Sequence, residues 1–350
     1  MRRLCLITVT CVVVCAAPTA AQAAFPGIPY ATSSTGYLAV VTESYLEQPA
    51  TLRVVTPDGA VGASEMIDVQ ARSLAVAVGP RGDALVVWGD DAGLWTRYRP
   101  PAGTLEPKVR IGAVASLGEN VAALDIDAAG VAVVAWAADE DGRLRVRSRD
   151  ATGSWQPEQT LGDRGAFRPA LALADNGRAV LTWRQHAGRQ PNGTRIAVST
   201  REAGAPFGRA IVVAGIQRNP AEPITAMNER GDAVVAWIET HRRRRGDTAF
   251  SIHGVFRAAT GPFSRPVRLS RMEAAGPQAA VLPSGRMVLA WTDNVERRAE
   301  ARVRTVTGRL QPPRRITDDL EENTDVTVLA AGRGAVAWRD RDPGVSAISG

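Results

Sequence analysis

Cysteine is confined to the first fifteen residues: Cys5, Cys11 and Cys15 are the only three in a chain of 350. The rest of the chain is free of thiols, which excludes disulfides and thiolate metal sites from its body. A chain of this length can bury enough surface to be stable without such staples. Lysine is nearly missing as well. Lys108 stands alone, so the positive charge is carried by arginine. Histidine occurs only at 186, 241 and 253, with no metal-ligand spacing, and neither a metal nor a cofactor is expected. Continuous basic stripes and stacking platforms are also lacking; arginine is interspersed with aspartate and glutamate, which argues against nucleic-acid binding.

Only one long apolar run is present. Leu4 to Ala17 follows the basic Met1-Arg2-Arg3, and Ala21-Gln22-Ala23 has the small-x-small form of a cleavage site. The run is too short to span a bilayer comfortably, so residues 1–23 read as a secretory signal cleaved after Ala23. The mature chain is then expected outside the cytoplasm, without a transmembrane span. Its formal charge falls from +6 to +4 when Arg2 and Arg3 leave.

What the chain does have is a repeat. A glycine is followed six residues later by tryptophan at Gly82/Trp88, Gly130/Trp136, Gly177/Trp183, Gly231/Trp237, Gly285/Trp291 and Gly332/Trp338. A degenerate copy, Gly36/Thr42, precedes them, and successive copies are 46, 48, 47, 54, 54 and 47 residues apart. In the third full copy, Pro169 to Ala174 reads as a small-residue strand, Asp175-Asn176-Gly177 as a tight Asn-Gly turn, and Arg178 to Trp183 as a second strand. Arg195 to Arg201 and Phe207 to Val213 read as strands three and four.

The second strands are apolar on both faces: Ala84, Val86 and Trp88 point one way, Leu85 and Val87 the other. Doubly buried strands fit sheets stacked face to face. The tryptophans read as packing residues, and the third-strand arginines, such as Arg145, Arg147 and Arg302, as a cover over the outer rim. A period of 40–55 residues built from short strands predicts an all-β, seven-bladed β-propeller over 24–350 as a single domain, the alternative being six blades plus an extra hairpin.

The glycine-to-tryptophan strand, followed by Gly153-Ser-Trp155-Gln-Pro157, Gly261-Pro-Phe263-Ser-Arg-Pro266 and Gly308-Arg-Leu310-Gln-Pro312, resembles the repeats of bacterial extracytoplasmic β-propeller proteins. These are close in pattern to the sialidase-type (BNR-repeat) propellers. Asp175-Asn176-Gly177 keeps the Asp-x-Gly core of the sialidase Asp-box, but the aromatic lies six residues past the glycine instead of three. The tyrosine nucleophile that the resemblance would imply has no match among Tyr30, Tyr37, Tyr45 and Tyr98.

Function must therefore be sought in the connections between second and third strands, since functional residues favour loops on a rigid scaffold. The long ones are Arg184 to Gly193, Ile238 to Thr248 and Thr292 to Ala299. They offer Arg184, His186, Arg189, His241, Arg242, Arg243, Arg244, Arg245, Asp293 and Arg297 as candidate binding residues, the four-arginine run being the sharpest feature. The expectation is a secreted, monomeric, non-catalytic propeller whose loop face binds an anionic protein or glycan at the cell surface. The alternatives are a sialidase-like hydrolase with a degenerate site and a structural cell-surface module.

Overall fold

A computed structural model describes residues 29–350 except 43–48, 69–70, 114–121, 139–141, 188–192, 217–218, 243–247, 260, 318–324, 330–334, 340–343 and 348–350. Residues 1–23, read from the sequence as a secretory signal, thus lie outside the described residues. Among those described, no helix is long and apolar enough to cross a membrane.

Each repeat begins with a hairpin, and glycine decides its form. Gly177 N donates to Ala174 O at 2.8 Å and Ala174 N to Arg178 O at 2.8 Å, with Gly177 at φ +84°. This is a tight turn closed by a left-handed glycine; of the Asn-Gly pair, Gly177 takes the positive φ and Asn176 does not. The same 3.0 Å bond runs from Gly82 to Gly79, from Gly130 to Asp127 and from Gly231 to Asn228.

Six such units grow into four-stranded antiparallel sheets, spanning 30–68, 72–112, 122–161, 166–214, 221–268 and 274–317. A seventh, 325–347, has three strands. Strands within a sheet follow one another in chain order, and among the described residues no strand pairs outside its own sheet.

The sheets pack face to face in chain order. Six separate apolar clusters lie between consecutive sheets, each built from the facing sides of two neighbours. The second strand feeds both. Ala84, Val86 and Trp88 belong to the cluster shared with the first sheet, and Leu85 and Val87 to the one shared with the third. Trp88, Trp136, Trp183, Trp237 and Trp291 are all at most 1% exposed. Trp136 Nε1 donates to Ala113 O at 2.9 Å, and the indoles of Trp183, Trp237 and Trp291 donate to Gln185, Glu239 and Glu300.

The expected propeller is corrected here. No sheet closes on itself, and among the described residues no apolar cluster and no strand pairing joins the seventh sheet to the first. The series bends enough for Ser34 Oγ in the first sheet to donate to Asp175 Oδ2 in the fourth at 2.9 Å, but a closed ring, of seven blades or of six plus a hairpin, is not what the sheets form. The physical reason is that the glycine–tryptophan period encodes a hairpin and its neighbour-to-neighbour packing, which are local. Closure depends on the first sheet meeting the last, which no repeat unit specifies. The resemblance to extracytoplasmic and sialidase-type propellers falls with it, as do the functions drawn from it: the propeller's binding loop face, the degenerate hydrolase and the structural propeller module.

The third-strand arginines do more than cover a rim. Arg97 Nε donates to Glu106 O at 2.6 Å, and its Nη1 crosses to Met66 O at 2.7 Å and Ile67 O at 3.2 Å in the preceding sheet. Arg147 crosses to Ile111 O at 3.3 Å, and Arg302 to Arg268 O and Leu269 O at 3.3 and 3.1 Å. Each is a bracket between outer strands of adjacent sheets.

A second bridge lies deeper. Asp125, 2% exposed on the strand Ala122–Ile126, accepts the N–H of Ile126 at 2.9 Å and that of Leu173 in the fourth sheet at 3.1 Å. Burial pushes its pKa up to about 8, against the two hydrogen bonds, with the charges of Asp175 and Asp127 adding to the rise.

Candidate metal centre

The fifth sheet carries the longest hairpin arms, Ala233–Arg242 and Thr248–Arg257, of 10 residues each. The strand continues through what the sequence reads as a loop from Ile238. Alternation along it places Trp237, Glu239 and His241 on one face. The register pairs Trp237 with His253 and Glu239 with Ser251, which brings both histidines and the glutamate to one spot beyond the tryptophan.

There Ser251 Oγ lies 2.7 Å from His241 Nε2 and 3.1 Å from His253 Nε2. His253 Nε2 is 3.3 Å from Glu239 Oε2, and Trp237 Nε1 donates to Glu239 Oε1 at 3.3 Å, fixing the carboxylate. Ser251, His253 and Glu239 are buried and His241 is half-buried. One ligand atom from each of Glu239, His241 and His253 lies within 4.8 Å of the others. Two imidazoles and a carboxylate form the donor set of a borderline divalent cation such as Zn²⁺, with a coordination position left for an exogenous ligand.

The sixth sheet shows what the same place holds elsewhere. Trp291 pairs with Glu300 and Asp293 with Arg298, so Arg298 stands where Ser251 does. Its guanidinium is 2.8 Å from Glu300 and 3.6 Å from Asp293. A built-in cation neutralises the buried acids there. In the fifth sheet the same position carries the short, uncharged Ser251, and imidazoles face the acid.

The remaining sequence candidates separate into other places. Arg184 lies 5.0 Å over the Phe167 ring, and His186 stacks on that ring at 4.7 Å, in the fourth sheet. Burial, then the like charge of Arg168, lowers the Arg184 pKa. Asp293 is buried in the ion-paired group with Arg298, while Arg297 is exposed at φ +48° and Arg242 is exposed at a strand end. Arg189 and the run Arg243, Arg244 and Arg245 fall outside the described residues. Of the candidates among the described residues, only His241 joins the cluster. Sequence reasoning missed His253 and Ser251, and treated Glu239 as loop content. The signal was a hairpin register that runs five residues past the tryptophan.

No protein-family model matches the chain, and no curated protein sequence matches it. Solved structures do share its fold. A lectin, BP39L from Burkholderia pseudomallei, superposes with a TM-score of 0.57 at 12% identity, over 89% of this chain and 94% of the lectin. A polysaccharide lyase of family PL25, an ulvan lyase, gives 0.59 at 7% identity over 94% and 92%. Virginiamycin B lyase from Staphylococcus aureus gives 0.50 at 9% over 92% and 94%. At such identities the likeness is one of fold.

Proposed function

We propose that the protein is an extracytoplasmic all-β binding module whose Glu239, His241 and His253 take up a divalent metal of the zinc class. The observation that carries this reading is that two imidazoles and a buried carboxylate bring ligand atoms within 4.8 Å of one another, the carboxylate fixed by Trp237; a metal would replace the Ser251 Oγ contacts of the two Nε2 atoms. The metal would present its open position to an oxygen-rich ligand, an acidic glycan or protein of the cell surface, which is bound and not turned over. The lectin and the ulvan lyase of the same fold are named for sugars, which supports the glycan. The signal-like segment 1–23 supports secretion, with cleavage after Ala23.

Chelator-treated protein titrated with Zn²⁺ at pH 7.5 is expected to take up one equivalent and to gain thermal stability, about 2.7 kcal/mol at a free metal concentration of a hundred times Kd. Uptake is expected to weaken below about pH 6, because both imidazoles must be neutral to bind. His253→Ala and Glu239→Gln should each abolish stoichiometric uptake. A protein that takes up no zinc, or one in which His253→Ala binds as well as the parent, refutes the reading.

A further inference from the structure

Between the third and fourth sheets lies a cavity of about 820 Å³, and the repeat explains why it is there. Four residues past each turn glycine, the second strand pairs with a fixed third-strand position. That position is Arg97, Arg147, Ser199, Val255 and Arg302 in sheets two to six. Opposite the tryptophans stand Trp95, Arg145, Ala197, His253 and Glu300. Among these five sheets only the fourth has a small residue at both places; the seventh, with Ser346 and Gly344 there, has three strands. Ser199 keeps one bracket bond, Oγ to Gly208 O at 2.7 Å, but cannot cross to the neighbouring sheet. In the fifth sheet Val255 is buried in the apolar cluster instead.

The vacated space has a defined chemistry. By register Thr160 occupies the place of Met66, and Leu161 follows it as Ile67 follows Met66, the two residues whose carbonyls receive Arg97 in the second sheet. Thr160 and Leu161 both line the cavity. Opposite them, Arg195 gives Nη2 to Asp163 at 2.6 Å, while its Nε is buried with no hydrogen-bond partner among the described residues. If the Thr160 and Leu161 carbonyls are placed as those of Met66 and Ile67 are, the cavity has acceptors on one wall, with Arg195 Nε as a donor on the other. A simple cation would meet Arg195 and Arg209, both in the lining. A simple anion would satisfy Arg195 and leave the carbonyl wall facing like charge. A ligand rich in hydroxyls donates to one wall and accepts from the other, and the volume lies within the range of small-ligand sites.

We propose that this cavity is a carbohydrate subsite that takes the end of an oligosaccharide. The inference stands apart from the metal reading, since none of the three metal-ligating candidates lines the cavity. The probes are cellotriose, maltotriose and trigalacturonate, titrated in the presence of EDTA so that a metal site contributes nothing, with binding read by saturation-transfer NMR and calorimetry. At least one is expected to bind. Ser199→Arg should rebuild the bracket, fill the cavity and weaken that binding at least tenfold without lowering Tm. Arg195→Lys, which keeps the charge beside Asp163 but removes Nε, should weaken it as well, and serves if Ser199→Arg does not fold. Absence of binding by all three sugars overturns the proposal. So does binding unchanged in the variant that folds, or preferential binding of methylguanidinium, which would make the cavity a cation site.

Discussion

Replacing Asp125 with asparagine separates the two effects that meet at this buried carboxyl. In the native protein its pKa is pushed up to about 8, whereas the unfolded chain titrates it near its ordinary value, about 3.9. Between these values the folded state holds a proton that the unfolded state has released, so stability is greatest below about pH 4 and declines as pH rises toward 8. A displacement of roughly 4 units at about 1.4 kcal/mol each sets an upper bound of about 5–6 kcal/mol on that decline, and relaxation around the site reduces it to something on the order of 2–4 kcal/mol. Asparagine carries no such proton. Its oxygen can accept one of the N–H groups of Ile126 and Leu173, but its amide must face the other, a loss of about 1–2 kcal/mol. The variant is thus expected to be less stable than the parent at pH 5 and to equal or exceed it at pH 9. Urea unfolding at constant ionic strength from pH 5 to 9 measures the difference. A gap that does not change with pH would show that Asp125 is ionised throughout and that burial does not control it.

Two further substitutions test the packing. Trp136→Ala removes a fully buried indole from the cluster between the second and third sheets and should lower stability by about 3–5 kcal/mol in the same unfolding assay; a loss below about 1 kcal/mol would mean that the cluster collapses around the gap. Arg302→Met keeps most of the stem and removes three carbonyl contacts, two of them across the sheet boundary, so a loss of about 2 kcal/mol is expected, and none would show that water replaces the bracket.

The hairpins were legible because their determinants are local. A glycine that must take a positive φ and a tryptophan six residues on mark both the turn and the apolar strand. The two-faced burial of the second strand was legible too, since Leu85 and Val87 are apolar where a wetted face would be polar. Closure into a ring was not, for it rests on contacts between residues some three hundred positions apart. The histidine–glutamate cluster stayed hidden for a subtler reason. The spacing that matters is not along one strand but across the hairpin: His241 and His253 are twelve residues apart, and only the register that sets Trp237 against His253 brings them together. The brackets were misread because arginine alternating with apolar residues looks the same whether its head meets water or a neighbouring sheet's carbonyls.

The position facing each tryptophan has a consequence for how such a protein can change. It is filled by tryptophan, arginine, alanine, histidine, glutamate and glycine in successive sheets, while the hairpin around it stays the same. The scaffold thus separates inheritance from innovation. The glycine turn and the tryptophan are copied from unit to unit, and this one socket is free to acquire an ion pair, a ligand cluster or an opening without disturbing its neighbours. A new specificity could be installed by altering two or three side chains in a single sheet, and moved to another by copying them at the same register.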